Sequence, residues 1–152
     1  MNNPKISSQR RNLIPRVAVA SVASPLEVGA DRGLQAVKKF EVLLKNAGCD
    51  VITLGEVNHP KQATRAGRKA AEEHIDALAI VPVSWFEDYL VLDMLEECNV
   101  PILLWSLPGM ETGALCGTQQ LTAYLRQLDA SYRCVCGILE KGTTLDKAMT
   151  FL

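Results

Sequence analysis

A chain of 152 residues, 48% hydrophobic and 22% charged, is long enough for one ordinary domain with its own core. Its formal net charge is −1, with Lys and Arg dispersed along the chain, so it carries no electrostatic footprint for nucleic acid or an anionic membrane. No apolar run approaches the ~20 residues needed to span a bilayer.

The start, Met1 to Arg11, is polar and basic without an apolar stretch. It does not read as a secretory signal, and a flexible leader is expected over residues 1–14. A single α/β domain is expected over residues 15–152. Arg16–Val22 reads as a first strand, followed by a loop with Ser24, Pro25 and Gly29. Asp31 is the expected N-cap of a helix striped by Leu34, Val37, Phe40, Leu43, Leu44 and Ala47, ending at Gly48. Cys49–Leu54 is a second strand. Pro60–Ile75 is a helix with an alanine-rich inner face (Ala63, Ala66, Ala70, Ala71) that suits close packing on a sheet.

Asp76–Val83 is a third strand, and Phe86, Leu90, Met94 and Leu95 mark the next helix. Val100–Ser106 is a fourth strand. Beyond the loop at Pro108–Gly113, Leu121, Tyr124, Leu125 and Leu128 stripe another helix. Tyr132–Gly137 is a fifth strand, and Thr143–Leu152 begins a last helix. Five strand–helix units joined by right-handed crossovers predict an α/β fold, a doubly wound parallel five-stranded sheet in a three-layer sandwich. The flavodoxin-like strand order 2-1-3-4-5 is expected, with a Rossmann order as the alternative. The apolar, helical ending at Phe151-Leu152 predicts that the chain is the N-terminal part of a longer one.

Five cysteines, odd in number and without zinc spacing, are expected as buried free thiols in a reducing cytoplasm. No Gly-x-Gly-x-x-Gly follows the first strand, and no Gly-x-x-x-x-Gly-Lys-Ser/Thr is present, which argues against a dinucleotide or a P-loop. Ser21–Ser24 and Val83–Ser84 stand where a phospho-accepting receiver needs acidic residues. Ser21, Ser24 and Gly29 are a diluted version of a flavin phosphate loop. With two histidines and no paired carboxylates at metal spacing, the chain offers no metal site and no catalytic residue of its own.

Ligands of α/β sheets bind at the carboxyl ends of the strands. Both central apolar runs end there in a tryptophan, Trp85 and Trp105. With Ser106, Glu111 and Gln119 nearby, this pattern fits a polar ligand with apolar ring faces, such as a sugar. Trp85 is the candidate platform, while Trp105 reads as packing. His59, after the second strand, is a further candidate, and His74 reads as a helix-end residue. Gly113 and Gly117 suit a tight turn and a close helix approach, and their amides are available to hold a hydroxyl or an anion.

Val-Pro-Val-Ser-Trp at 81–85, and Ile-Leu-Leu-Trp-Ser at 102–106 with Pro-Gly-Met-Glu-Thr-Gly-Ala-Leu-Cys-Gly at 108–117, carry a family resemblance. They resemble the N-terminal domain of the L-fucose/L-arabinose isomerase-like proteins, over roughly Arg16 to Gly142. The resemblance implies an aldose–ketose isomerase in which later domains hold Mn2+ through acidic residues and histidine. It also implies that this domain provides homo-oligomer contacts and presents Trp85 to the sugar substrate of a neighbouring subunit. The C-terminal catalytic domains would then be its partners. Those isomerases carry arginine just after the first strand, where Ala20, Ser21 and Ala23 stand here. The reading from another class is a stand-alone sugar-binding or regulatory module.

Overall fold

A computed structural model describes residues 13–152; most of the expected leader, residues 1–12, lies outside the described residues. The strands are β1 (Arg16–Val22), β2 (Asp50–Val57), β3 (Ala77–Pro82), β4 (Ile102–Ser106) and β5 (Tyr132–Cys136). The helices are α1 (Gly33–Asn46), α2 (Pro60–Glu72), α3 (Tyr89–Glu97), α4 (Ala114–Gln127) and α5 (Thr143–Met149). All strand pairings are parallel, in the order β2-β1-β3-β4-β5. This is the doubly wound, flavodoxin-like arrangement expected from the alternation of strand and helix.

Side-chain alternation along the strands divides the core into two layers. Val17, Val19, Val81, Leu103 and Trp105 face α1 and α5. Ala18, Ala20, Ile80 and Leu104 face α2, α3 and α4. Because both faces are covered, β3 and β4 are buried at every position and read as unbroken apolar runs. The small face of α2, with Ala63, Ala66, Gly67 and Ala70 buried, allows α3 to approach closely. A Cβ at Gly67 would stand 2.6 Å from the Met94 carbonyl oxygen.

Several local expectations are corrected. Asp31 does not cap α1, because it lies in a 3-10 turn at Ala30–Arg32. The carboxylate of Glu56, at the far end of β2, instead accepts the Leu34 N–H at 3.0 Å. A distant anion thus satisfies the positive helix end. β2 continues past Leu54 to Val57 through a bulge at Leu54–Gly55, where Gly55 takes φ +89°. Leu34, Tyr124 and Leu128 are exposed rather than part of the helical core faces. The cysteines are not uniformly buried: Cys49 is buried and Cys98 half-buried, but Cys116, Cys134 and Cys136 are exposed. β5 is an edge strand on which only Val135 is buried, so its alternate residues face outward. No described helix is long and apolar enough to cross a membrane.

Candidate ligand groove at the carboxyl edge

Three loops meet at the carboxyl edge, after β1, β3 and β4. The N–H of Ser24 donates to the Trp85 carbonyl oxygen at 2.9 Å, and the N–H of Trp85 donates to the Thr112 carbonyl oxygen at 2.6 Å. The Ser24 hydroxyl donates to Glu87 at 3.3 Å. The backbone of Trp85 is thereby held from both sides. Two glycines allow this closeness: a Cβ at Gly29 (φ +93°) would lie 2.7 Å from the Val83 carbonyl oxygen, and one at Gly113 (φ +65°) would lie 3.0 Å from Trp85 Cβ. Gly117 similarly leaves room for the Phe86 ring, 3.0 Å from where its Cβ would be.

Trp85 is half-buried at this edge. Beside it a shallow groove of about 360 Å³ runs between the start of α3 and the middle of α4, lined by Trp85, Glu87, Asp88, Tyr89, Gln120 and Tyr124 among others. Asp88 immediately precedes α3 but does not cap it. Its Oδ2 accepts a 2.6 Å hydrogen bond from Gln120 Nε2 across the groove. Its Oδ1 is buried with no partner among the described residues. Burial pushes the Asp88 carboxyl above the usual aspartate range, and the Gln120 bond offsets part of that rise.

The candidates from sequence do not converge on this groove. Ser106 is fully buried beneath the edge, with its hydroxyl unpartnered. Glu111 is exposed and pairs with Arg32 at 3.6 Å on the rim, an exposed ion pair worth at most ~1 kcal/mol. Gln119 is exposed on α4, and it is the next residue, Gln120, that enters the groove. His59 precedes α2 after the edge strand β2, two strands from β3, or about 10 Å at ~4.8 Å per strand. The amides of Gly113 and Gly117 are already spent on the Met110 and Gly113 carbonyls. Phe86 is fully buried, and Trp105 is core as expected.

Asp88 and Gln120 were not evident in the sequence. An Asp before a helix reads as a cap, and a lone Gln on a helix reads as solvated. Only the parallel placement of α3 and α4 brings them together. Among the described residues, no three His, Cys, Asp or Glu side chains come together to hold a metal ion, so the donor set does not fit Mn2+.

No family model and no curated protein matches the chain. A solved structure of the Lac repressor bound to ONPG in the repressed state is similar at 13% sequence identity with a TM-score of 0.44. The match covers 90% of this chain and 52% of that one, so the chain spans about half the length of that repressor. A likeness this distant carries no functional argument.

Proposed function

We propose that the chain is the N-terminal domain of an aldose–ketose isomerase-like protein, where it gives subunit contacts and one wall of a sugar pocket without catalysing the reaction itself. The observation that carries this reading is the half-buried Trp85 ring at the carboxyl edge, braced by the loops after β1 and β4. The segments resembling the fucose and arabinose isomerases, at 81–85 and 102–117, are the ones that build this edge. A half-exposed aromatic ring on a backbone held from both sides suits the apolar face of a sugar ring. Mn2+ and the acid–base groups that move a proton between adjacent carbons would come from domains outside this chain. A cytoplasmic homo-oligomer is the setting this reading implies.

The test is an assay of the product of the native reading frame with Mn2+ and a panel of aldoses. Ketose formation by a product longer than 152 residues, diminished by Trp85→Ala at unchanged stability, supports the reading. A reading frame that stops at Leu152, or a longer product that converts no aldose, removes it.

A further inference from the structure

We infer that Cys134 and Cys136 form a two-coordinate clip for a soft, closed-shell metal cation of the Cu(I) or Ag(I) type. The two residues stand two apart on β5, so their side chains leave the same face of the strand. The register fixes which face. Cys134 lies opposite Leu104 and Cys136 opposite Ser106, on the side of the sheet that carries α4. Val135 and Arg133 point to the other side, where Arg133 stacks on Phe151. β5 is an edge strand, and both thiols are exposed on it. The backbone beneath them is held: the ladder to β4 runs through Cys136, and the Gly137 N–H then donates to the Ser106 carbonyl oxygen at 3.1 Å.

Strand spacing decides what such a pair can do. At ~3.3 Å per residue the two Cβ atoms lie about 6.6 Å apart. A disulfide needs ~3.5–4.5 Å, so the thiols cannot join each other while the strand is intact. Two thiolate–metal bonds of ~2.3 Å in line span about 4.6 Å, which is reached when each sulfur leans inward by about 1 Å. Thiolates select soft ions. Zinc asks for four ligands, and among the described residues no third His, Cys, Asp or Glu side chain joins the pair. A cation satisfied by two collinear sulfurs is what remains. Two thiols and one Cu+ give a bis-thiolate complex of charge −1 and release two protons. The cation also removes the repulsion that two bare thiolates would feel. Burial first, and then Cys136, push the Cys134 thiol up, so without metal it rests protonated instead of acting as a nucleophile.

The test titrates the reduced 152-residue chain with Cu(I), without oxygen, against the coloured chelator bicinchoninate. One ion per chain should be held, with X-ray absorption showing two sulfur ligands. Losing even an outer partner of a metal ligand costs about 10–100-fold in affinity, so Cys134→Ser and Cys136→Ser should each weaken the site about a hundredfold or more. Both replace exposed side chains and should keep the parent's unfolding midpoint. Cys116→Ser removes an exposed thiol on α4 and should bind as the parent does. If either β5 variant binds like the parent, or Cys116→Ser loses as much as they do, the clip is wrong. One ion per two chains would overturn it in favour of a bridge between molecules. A Cys134–Cys136 disulfide formed in the native chain under mild oxidation would overturn the strand geometry on which the clip depends.

Discussion

Trp105 and Trp85 each follow a buried apolar strand run, yet they end in different surroundings. The Trp105 ring is fully buried, packs edge-on against Phe40 at 5.4 Å, and donates its indole N–H to the Gly137 carbonyl oxygen at 2.9 Å. Trp85 keeps one face at the edge. Trp105→Ala should therefore cost ~3–5 kcal/mol, whereas Trp85→Ala should cost less than ~2 kcal/mol. Urea unfolding of the two variants decides this, and equal losses would mean that Trp85 is a core residue. Asp88 and Glu41 make an opposed pair with respect to pH. The hydrogen bond from Lys45 leads in holding the Glu41 carboxyl below its ordinary value, with a second bond from Thr53. Its stabilisation is present above the ordinary carboxylate pKa and is lost as pH falls through the lowered value. Asp88 is raised by burial, so its contribution is present only below the unfolded pKa and is lost as pH rises through the folded one. Glu41→Gln should lower the unfolding midpoint at neutral pH and Asp88→Asn should raise it, and both differences should vanish in acid. A neutral-pH loss of stability in Asp88→Asn would mean that its ionised form is better satisfied than its surroundings indicate.

Between elements, packing distances decide effects that helix propensity alone would misjudge. Replacing Gly67 by alanine within α2 gains about 1 kcal/mol in propensity. The new methyl would meet the Met94 carbonyl oxygen at 2.6 Å and Glu97 Cβ at 2.8 Å, both on the closely packed α3. Overpacking against backbone costs ~1–3 kcal/mol, so after the propensity gain a net loss of up to about 2 kcal/mol is expected on thermal or chemical unfolding. A stabilised Gly67→Ala would show that the two helices can separate freely. The same distinction explains what was legible in the sequence. Apolar runs flanked by helix stripes were enough to specify five parallel strands, because burial on two faces leaves a direct mark on composition, while their order stood between a flavodoxin-like and a Rossmann arrangement until the strand pairing decided it. Caps and surface contacts leave none. Glu56 caps α1 from 22 residues away, and Gln120 meets Asp88 across 32 positions. Cysteine burial was misread for a related reason: Cys134 and Cys136 alternate with Val135 on a strand covered on only one face. Thiol labelling of the native chain should modify Cys116 and Cys136 readily. Cys134 should lag, its thiol pushed up first by burial and then by the neighbouring Cys136, and Cys49 should react only on unfolding. Rapid native labelling of Cys49 would contradict the core as built.

At the scale of the whole molecule, the open question is what meets the carboxyl edge. Phe86 lies wholly inside and adds nothing to the apolar surface there. Leu26 and Met110 take that place, at 98% and 99% exposed, with Val28 and the half-buried Trp85 on the same edge. Apolar groups this open, rimmed by Arg32 and Glu111, are what a partner surface requires. The proposed isomerase setting places another subunit against this edge, and an isolated chain would offer it to a second copy of itself. Sedimentation at tens of micromolar should therefore show self-association that Leu26→Ser combined with Met110→Ser abolishes. Because both side chains lie almost wholly in water, the double variant should unfold at the parent's midpoint, which separates loss of association from loss of fold. Phe86→Ser cannot serve this purpose, since it would disrupt the core packing against Gly117. A parent chain that sediments as a monomer, or a double variant that associates as the parent does, would mean that the edge meets only its ligand and that subunit contacts lie elsewhere on the domain.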